Sequence, residues 1–396
     1  MRFLILDSPG SLPFPFGGGT KMLKWYLIEG LRNLGHAVHY VCLDEKILRP
    51  AQQEMYARLS EYVSKIGAVL TYRENLSDKD ETEIYKNMIQ EFAPDFLLCY
   101  NVRPVELLEG YKTEIKRVII SIDLDHLPSF YRVSEELLHG SLKVKWSALK
   151  QLVPVLLGAY HYRRDLISHF KKADLLINHA ANHADWLREH TGRRTLYVPN
   201  PVGGRSVIGD PIFRWAPVSP PRFLLVGNFN GIATLSGFYF FVQKVMPYLC
   251  EVLDAGKLEI HILGKGGIEP RIKKVLDRKG IFWPGFIEDP LPEYEKACAM
   301  VVPTPIKLGF RTRILDAFRY GLPVIAHSAN ALGFPEMKHR INCLMTDNGQ
   351  EMAIQMIELA ENEKLRNEIY KNSLNEFNSN VSADHTCRKI VEFLKT

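Results

Sequence analysis

Arg311, Arg313 and Asp316 place two cations and a carboxylate in one short stretch, just after Gly309. That combination suits a phosphate beside a sugar diol. Gly309 lets the backbone come close to a ligand. Ile314, Leu315, Ala317 and Phe318 follow at helical spacing, so Thr312 stands where a helix opens. Unpaired amides and the helix dipole favour an anion there. The planar guanidinium forks of Arg311 and Arg313 match phosphate oxygens. Asp316, about one turn into the helix, can accept hydrogen bonds from a ribose. The same residues also fit a plainer reading, in which the arginines are solvated and Asp316 complements the helix dipole. A second cluster, Asp123, Asp125 and His126, follows the apolar run 118–122. Carboxylates or an imidazole at a strand end can take a proton from an attacking hydroxyl. They can equally cap the turn after the strand.

The elements that carry these residues follow from apolar periodicity. Met300, Val301 and Val302 form a short buried strand bounded by Pro303 and Pro305, and Gly321-Leu322-Pro323 ends the helix after the basic loop. Val324, Ile325 and Ala326 open the next strand. Strand, loop, helix and strand in this order put the loop at the carboxyl edge of a parallel sheet, where ligands bind in such folds. The N-terminus repeats the pattern. Phe3 to Leu6 is a strand with Asp7 at its end. A loop holding three prolines and Gly17-Gly18-Gly19 follows, then a helix that Thr20 can cap, then a strand from Ala37 to Cys42. G-x-G-x-x-G is absent, which argues against a nicotinamide site. Helix and strand patterns alternate along most of the chain, which predicts an α/β fold with parallel sheets. Helices are expected over 53–66, 78–92, 236–253, 271–278 and 291–297. Strands are expected over 96–100, 118–122, 175–178, 196–198, 223–226 and 258–263. His36, His179 and His183 are read as structural or helix-surface residues.

The run Pro303, Gly309, Arg311, Arg313, Ile314, Leu315, Asp316, Ala317, Gly321, Pro323, Val324 resembles the donor motif of GT-B glycosyltransferases of group 1. In that motif Lys stands at the position of Arg313 and Glu at that of Asp316. Gly35-His36-Ala37-Val38 and Asn200-Pro201-Val202 resemble two further signatures of the group. The resemblance implies a GT-B fold, two doubly wound Rossmann-like domains facing a central cleft, with a C-terminal helix crossing back. It divides the chain into an acceptor domain (1–200), a linker (201–221), a nucleotide-sugar domain (222–380) and a terminal helix packing on the first domain (381–396). It implies transfer of a sugar from a nucleotide-diphosphate sugar, UDP- or GDP-linked, to a saccharide or lipid-linked acceptor. No metal or other cofactor is expected. It assigns donor binding to Gly18, Gly19, Gly227, Asn228, Lys265, Phe286, Ile287, Gly309, Arg311, Thr312, Arg313 and Asp316. Asp123, Asp125 and His126 become the candidates for catalysis. Two positions depart from the group. Leu308 stands where a glutamate usually contacts the donor sugar, and no Arg or Lys follows the strand that ends at Gly227. A sugar-nucleotide epimerase or a silent nucleotide-sugar binder would share the remaining residues.

The bulk numbers agree with a globular protein. The chain has 396 residues, 46% hydrophobic and 24% charged, enough for two cores. A net charge of +5 suits anionic ligands but is too weak to indicate nucleic acid. Six cysteines, none in C-x-x-C spacing, are expected to be reduced core residues of a cytoplasmic protein. The basic, apolar region 143–172 can rest on an anionic membrane. The preferred reading is a helix that packs its apolar face on the sheet and solvates its lysines.

Overall fold

The structure is a computed structural model that describes residues 1–7, 13, 20–43, 59–73, 76–100, 102–121, 124, 127–140, 142–203, 215–266, 270–309 and 311–396. It contains two parallel sheets. The contacts divide the chain into two units. One holds Met1–Leu124, Tyr162–Asp210 and Val381–Thr396, the other Asp125–His161 and Pro211–Asn380.

In the first unit, β1 (Arg2–Asp7), β2 (Ala37–Leu43), β3 (Val69–Arg73), β4 (Phe96–Tyr100), β5 (Lys116–Ser121), β6 (Leu175–Asn178) and β7 (Arg194–Tyr197) pair in the order β3-β2-β1-β4-β5-β6-β7. Every pairing is parallel. The central strands are apolar on both faces, as helices on either side require, and β4 is buried at all its positions. The helix Thr20–Asn33 lies against the last helix, Ala383–Lys395, and the contact depends on Gly30. A Cβ at Gly30 would come within 2.6 Å of the Cys387 sulfur. Ala383 N–H donates to the Val202 carbonyl at 3.2 Å, which fixes where that helix starts.

In the second unit, β8 (Arg222–Asn228), β9 (Glu259–Lys265), β10 (Ile281–Gly285), β11 (Ala299–Val302), β12 (Val324–His327) and β13 (Leu344–Thr346) pair in the order β10-β9-β8-β11-β12-β13, again all parallel. The order reverses between β8 and β11, so the connections leaving these strands run to opposite sides. That seam is the topological switch point, where an open parallel sheet leaves a crevice.

The predicted helix 236–253 begins earlier and is broken. It runs as Ile232–Phe240, a wider turn over Phe241–Val245, a tighter one over Met246–Tyr248, and a last piece, Cys250–Asp254. Pro247 lacks the N–H that an uninterrupted helix needs. All six cysteines are free thiols, and only Cys250 is not buried.

The basic helix is the largest departure. It spans Leu142–Phe170 with Pro154 inside it. Of the apolar residues read as a packing face, Trp146, Leu149, Val153, Leu156 and Leu157 are exposed. Among its described side chains the buried ones are Ala148, Leu166 and Phe170. The helix therefore carries two apolar faces where the sequence pattern shows one.

Candidate active site

Four loops at the carboxyl ends of β8, β9, β10 and β11 share one edge of the second sheet. The loop after β8 is Phe229-Asn230-Gly231. Phe229 N–H donates to the Lys265 carbonyl at 2.7 Å, and Asn230 N–H to the Asn228 side chain at 3.1 Å. Here glycine is obligatory. Gly264 has φ +153, and a Cβ on it would lie 1.7 Å from the Gly227 carbonyl oxygen. The two strand ends thus touch backbone to backbone, with no room for a side chain between Gly227 and Gly264. Lys265 holds its ammonium 4.0 Å from the centre of the Phe286 ring, a cation–π contact. Phe286 is exposed and Ile287 half-buried.

Across the seam, β11 runs into Pro303 and Thr304, then through Gly309 (φ +57) to Arg311. Arg311 is the N-cap of the helix Thr312–Arg319, with extended backbone (φ −96, ψ 97). The side chain of Arg313 turns back over the seam. Its guanidinium donates to the Val226 carbonyl and, at 3.2 Å, to the Thr234 hydroxyl. Gly227 makes room for it, since a Cβ there would come within 2.5 Å of the guanidinium. Burial and the neighbouring Arg311 push the Arg313 guanidinium down to about 10. Its proton still stays on at neutral pH. Asp316 is half-buried, and burial, partly offset by Arg319, raises its carboxyl to about 6. Val226, Phe229, Thr234, Pro303, Thr304 and Arg313 line a small crevice at the seam.

Gly227, Asn228, Lys265, Phe286, Ile287, Gly309, Arg311, Thr312, Arg313 and Asp316 therefore all lie on or beside the carboxyl edge of one sheet. Leu308, in place of the group's glutamate, is buried. Gly18, Gly19, Asp123, Asp125 and His126 lie outside the described residues. Sequence reasoning missed Tyr131 and Arg132, on the helix Leu127–His139 of the same unit. Arg132 donates to the Asn230 carbonyl at 3.4 Å, and Tyr131 bonds the Lys307 backbone. One helix thus touches the loops on both sides of the seam. Arg132 brings a cation to the β8 loop, whose own residues lack one. Its helix is separated from that loop by about a hundred positions, so no local spacing signals the pairing.

In the first unit Asp7 ends β1 at the corresponding switch point, between β1 and β4. It is fully buried. The Lys24 ammonium and the Tyr40 hydroxyl both donate to its carboxylate, and Tyr85 donates to its backbone carbonyl at 3.2 Å. Burial, then Asp7, raises the Tyr40 hydroxyl far above its ordinary range, so Tyr40 stays a donor. His179 and His183 are buried, not on a helix surface. His179 donates to the Val198 carbonyl at 3.1 Å, and burial lowers it to about 4, so the ring is neutral. Among the described residues no group of three or more His, Cys, Asp or Glu could hold a metal ion.

Residues 220–362 match the family model described as glycosyl transferases group 1. The matched stretch lies within the second unit and holds every strand from β8 to β13. Solved structures extend the likeness of fold to the whole chain. A glycosyltransferase from Rickettsia africae superposes with a TM-score of 0.66 at 12% identity, covering 100% of this chain and 98% of that one. Sucrose-phosphate synthase from Thermosynechococcus elongatus gives 0.64 at 12% identity, with coverage of 100% and 98%. Anabaena HepE, solved with UDP and glucose, gives 0.62 at 13% identity and full coverage of both chains. No curated protein matches the sequence. The fold is that of GT-B glycosyltransferases, and the seam between β8 and β11 lies within the residues that match the family model.

Proposed function

We propose that this chain moves a sugar from a nucleotide-diphosphate sugar, UDP- or GDP-linked, to a hydroxyl of a saccharide or lipid-linked glycan precursor. The observation that carries the reading is the convergence of the β8 loop and the Thr312–Arg319 helix N-terminus on one switch point. Arg311, with the amides opening that helix, binds the diphosphate. Arg313, tied to the Val226 carbonyl, holds a second positive charge beside it. These charges stabilise the diphosphate as it leaves, when its charge grows. Asp316 accepts from the ribose, and Phe286 with Ile287 forms the wall for the base. Lys265 adds a cation above Phe286, near the phosphates. A hydroxyl nucleophile needs a base, and Asp123, Asp125 and His126 are the candidates. The Anabaena structure holds UDP and glucose, which supports a uridine donor for a protein of this fold.

The test is calorimetry with UDP, GDP and their sugar conjugates, followed by assay of slow donor hydrolysis without acceptor. Saturable binding of one nucleoside diphosphate, with release of free sugar from its conjugate, supports the reading. Interconversion of two sugar nucleotides would point to an epimerase. Binding with neither turnover nor transfer across an acceptor panel would leave only a binding protein.

A further inference from the structure

The helix Leu142–Phe170 leaves one of its apolar faces in water. Trp146, Leu149, Val153, Leu156, Leu157 and Tyr160 recur at intervals of three and four, and each is 45% to 65% exposed. They form a continuous stripe roughly 20 Å long at 1.5 Å rise per residue. An apolar patch of that extent on a water-facing helix marks an interaction surface. The charge around it is one-sided. From Leu142 to Arg164 the sequence has five lysines and arginines and no aspartate or glutamate. Arg163 is engaged by His190 at 2.6 Å and by the Trp186 ring. Lys150 and Arg164 are exposed, and Lys145 is half-exposed.

We propose that this helix docks the protein on an anionic lipid bilayer, lying in the plane of the surface with the stripe at the boundary of headgroups and acyl chains. An exposed apolar stripe bordered by cations, with no acid between Leu142 and Arg164, has the composition of an interfacial helix. Trp146 and Tyr160, one at each end, have rings that favour the headgroup level. The helix lies on the membrane and does not cross it, since among the described residues no helix is long and apolar enough to span one. The surface would hold the enzyme where anionic lipids are abundant and act independently of any nucleotide.

The test is co-sedimentation of the full chain with vesicles, without nucleotide. One set is phosphatidylcholine alone; the other contains about one-third phosphatidylglycerol. Partitioning should be at least about tenfold stronger on the anionic vesicles and fall steeply between about 0.1 and 0.5 M salt. The triple variant Trp146→Ser, Val153→Ser, Leu157→Ser should lose about tenfold or more on the same vesicles, with its melting temperature unchanged. The variant Lys145→Glu, Lys150→Glu should lose the preference for anionic lipid. Absence of sedimentation with either vesicle overturns the proposal. So does equal partitioning of the parent and the triple variant. A dimer in sedimentation velocity that the triple variant abolishes, without vesicle binding, would instead assign the stripe to a second copy of this chain.

Discussion

The guanidinium of Arg313 is bonded to the backbone carbonyl of Val226, so the helix after β11 is tied to the end of β8 across the seam of the sheet. Arg313 is thus a brace as well as a charge. Arg313→Ala should weaken nucleoside diphosphate binding by about 2 kcal/mol and also lower the melting temperature, because the half-buried Val226 carbonyl loses this donor. Arg311→Ala should weaken binding comparably with little change in melting. Calorimetry and thermal melts on both variants separate the roles. Full affinity in both would remove the arginines from the donor site.

Asp316 links pH to stability. Its carboxyl sits at about 6 in the fold, against an ordinary 3.8. Between those values the folded chain holds a proton that the unfolded chain has released. Stability therefore falls as pH rises through this window and is level above it. Asp316→Asn should remove that fall and melt higher than the parent at pH 7, while binding ribonucleotides more weakly. Binding of a 2′,3′-dideoxy nucleotide should suffer less. A variant that retains the parent's pH profile and loses equal affinity for both nucleotides would return Asp316 to complementing the helix dipole.

Gly264 tests the backbone contact under the loops. Any side chain there meets the Gly227 carbonyl, and the backbone sits at φ +153. Gly264→Ala should destabilise the second unit by about 3 kcal/mol or more, read as a lower urea midpoint. Gly231→Ala, whose added carbon would lie 3.2 Å from the Asn228 carbonyl oxygen, should cost far less. Equal midpoints for the two would show that the strand ends can part freely.

Lys24 tests the buried charge at the end of β1. Lys24→Met removes the partner of a carboxylate that has no access to water, at a cost of about 3–5 kcal/mol. The double variant Lys24→Met, Asp7→Asn should recover much of the loss, since no unpaired charge then remains buried. Urea unfolding of the two variants measures the difference. A double variant no more stable than the single one would show that the pair is held by more than charge.

Much of the second unit was legible in the sequence. Strands β8 to β12 are short apolar runs ended by glycine, proline or polar residues, and the eight positions from Gly309 to Asp316 announce a helix N-terminus. What lies between distant elements was not. Arg132 reaches the Asn230 carbonyl from a helix about a hundred residues away, and Asp7, Lys24 and Tyr40 meet only once β1, β2 and the first helix have packed. His179 looks like any polar residue after a strand until β7 closes over it. The helix Leu142–Phe170 misled for a different reason. Periodicity reveals that apolar residues share a face, but two adjacent faces merge into one broad pattern, and only packing separates the covered one from the bare one.

The contact of Cys387 with Gly30 gives the last helix a built-in chemical clock. Burial drives the Cys387 thiol far from ionisation, and a thiol reagent reacts with thiolate that it can reach. Alkylation of Cys387 therefore waits for the helix to lift. Where lifting and reseating are fast, the slowing of its modification relative to a free thiol, taken as a logarithm, measures the free energy of that one local opening. The same rate followed as urea is added would tell whether the terminal helix leaves alone or only when the whole first unit unfolds.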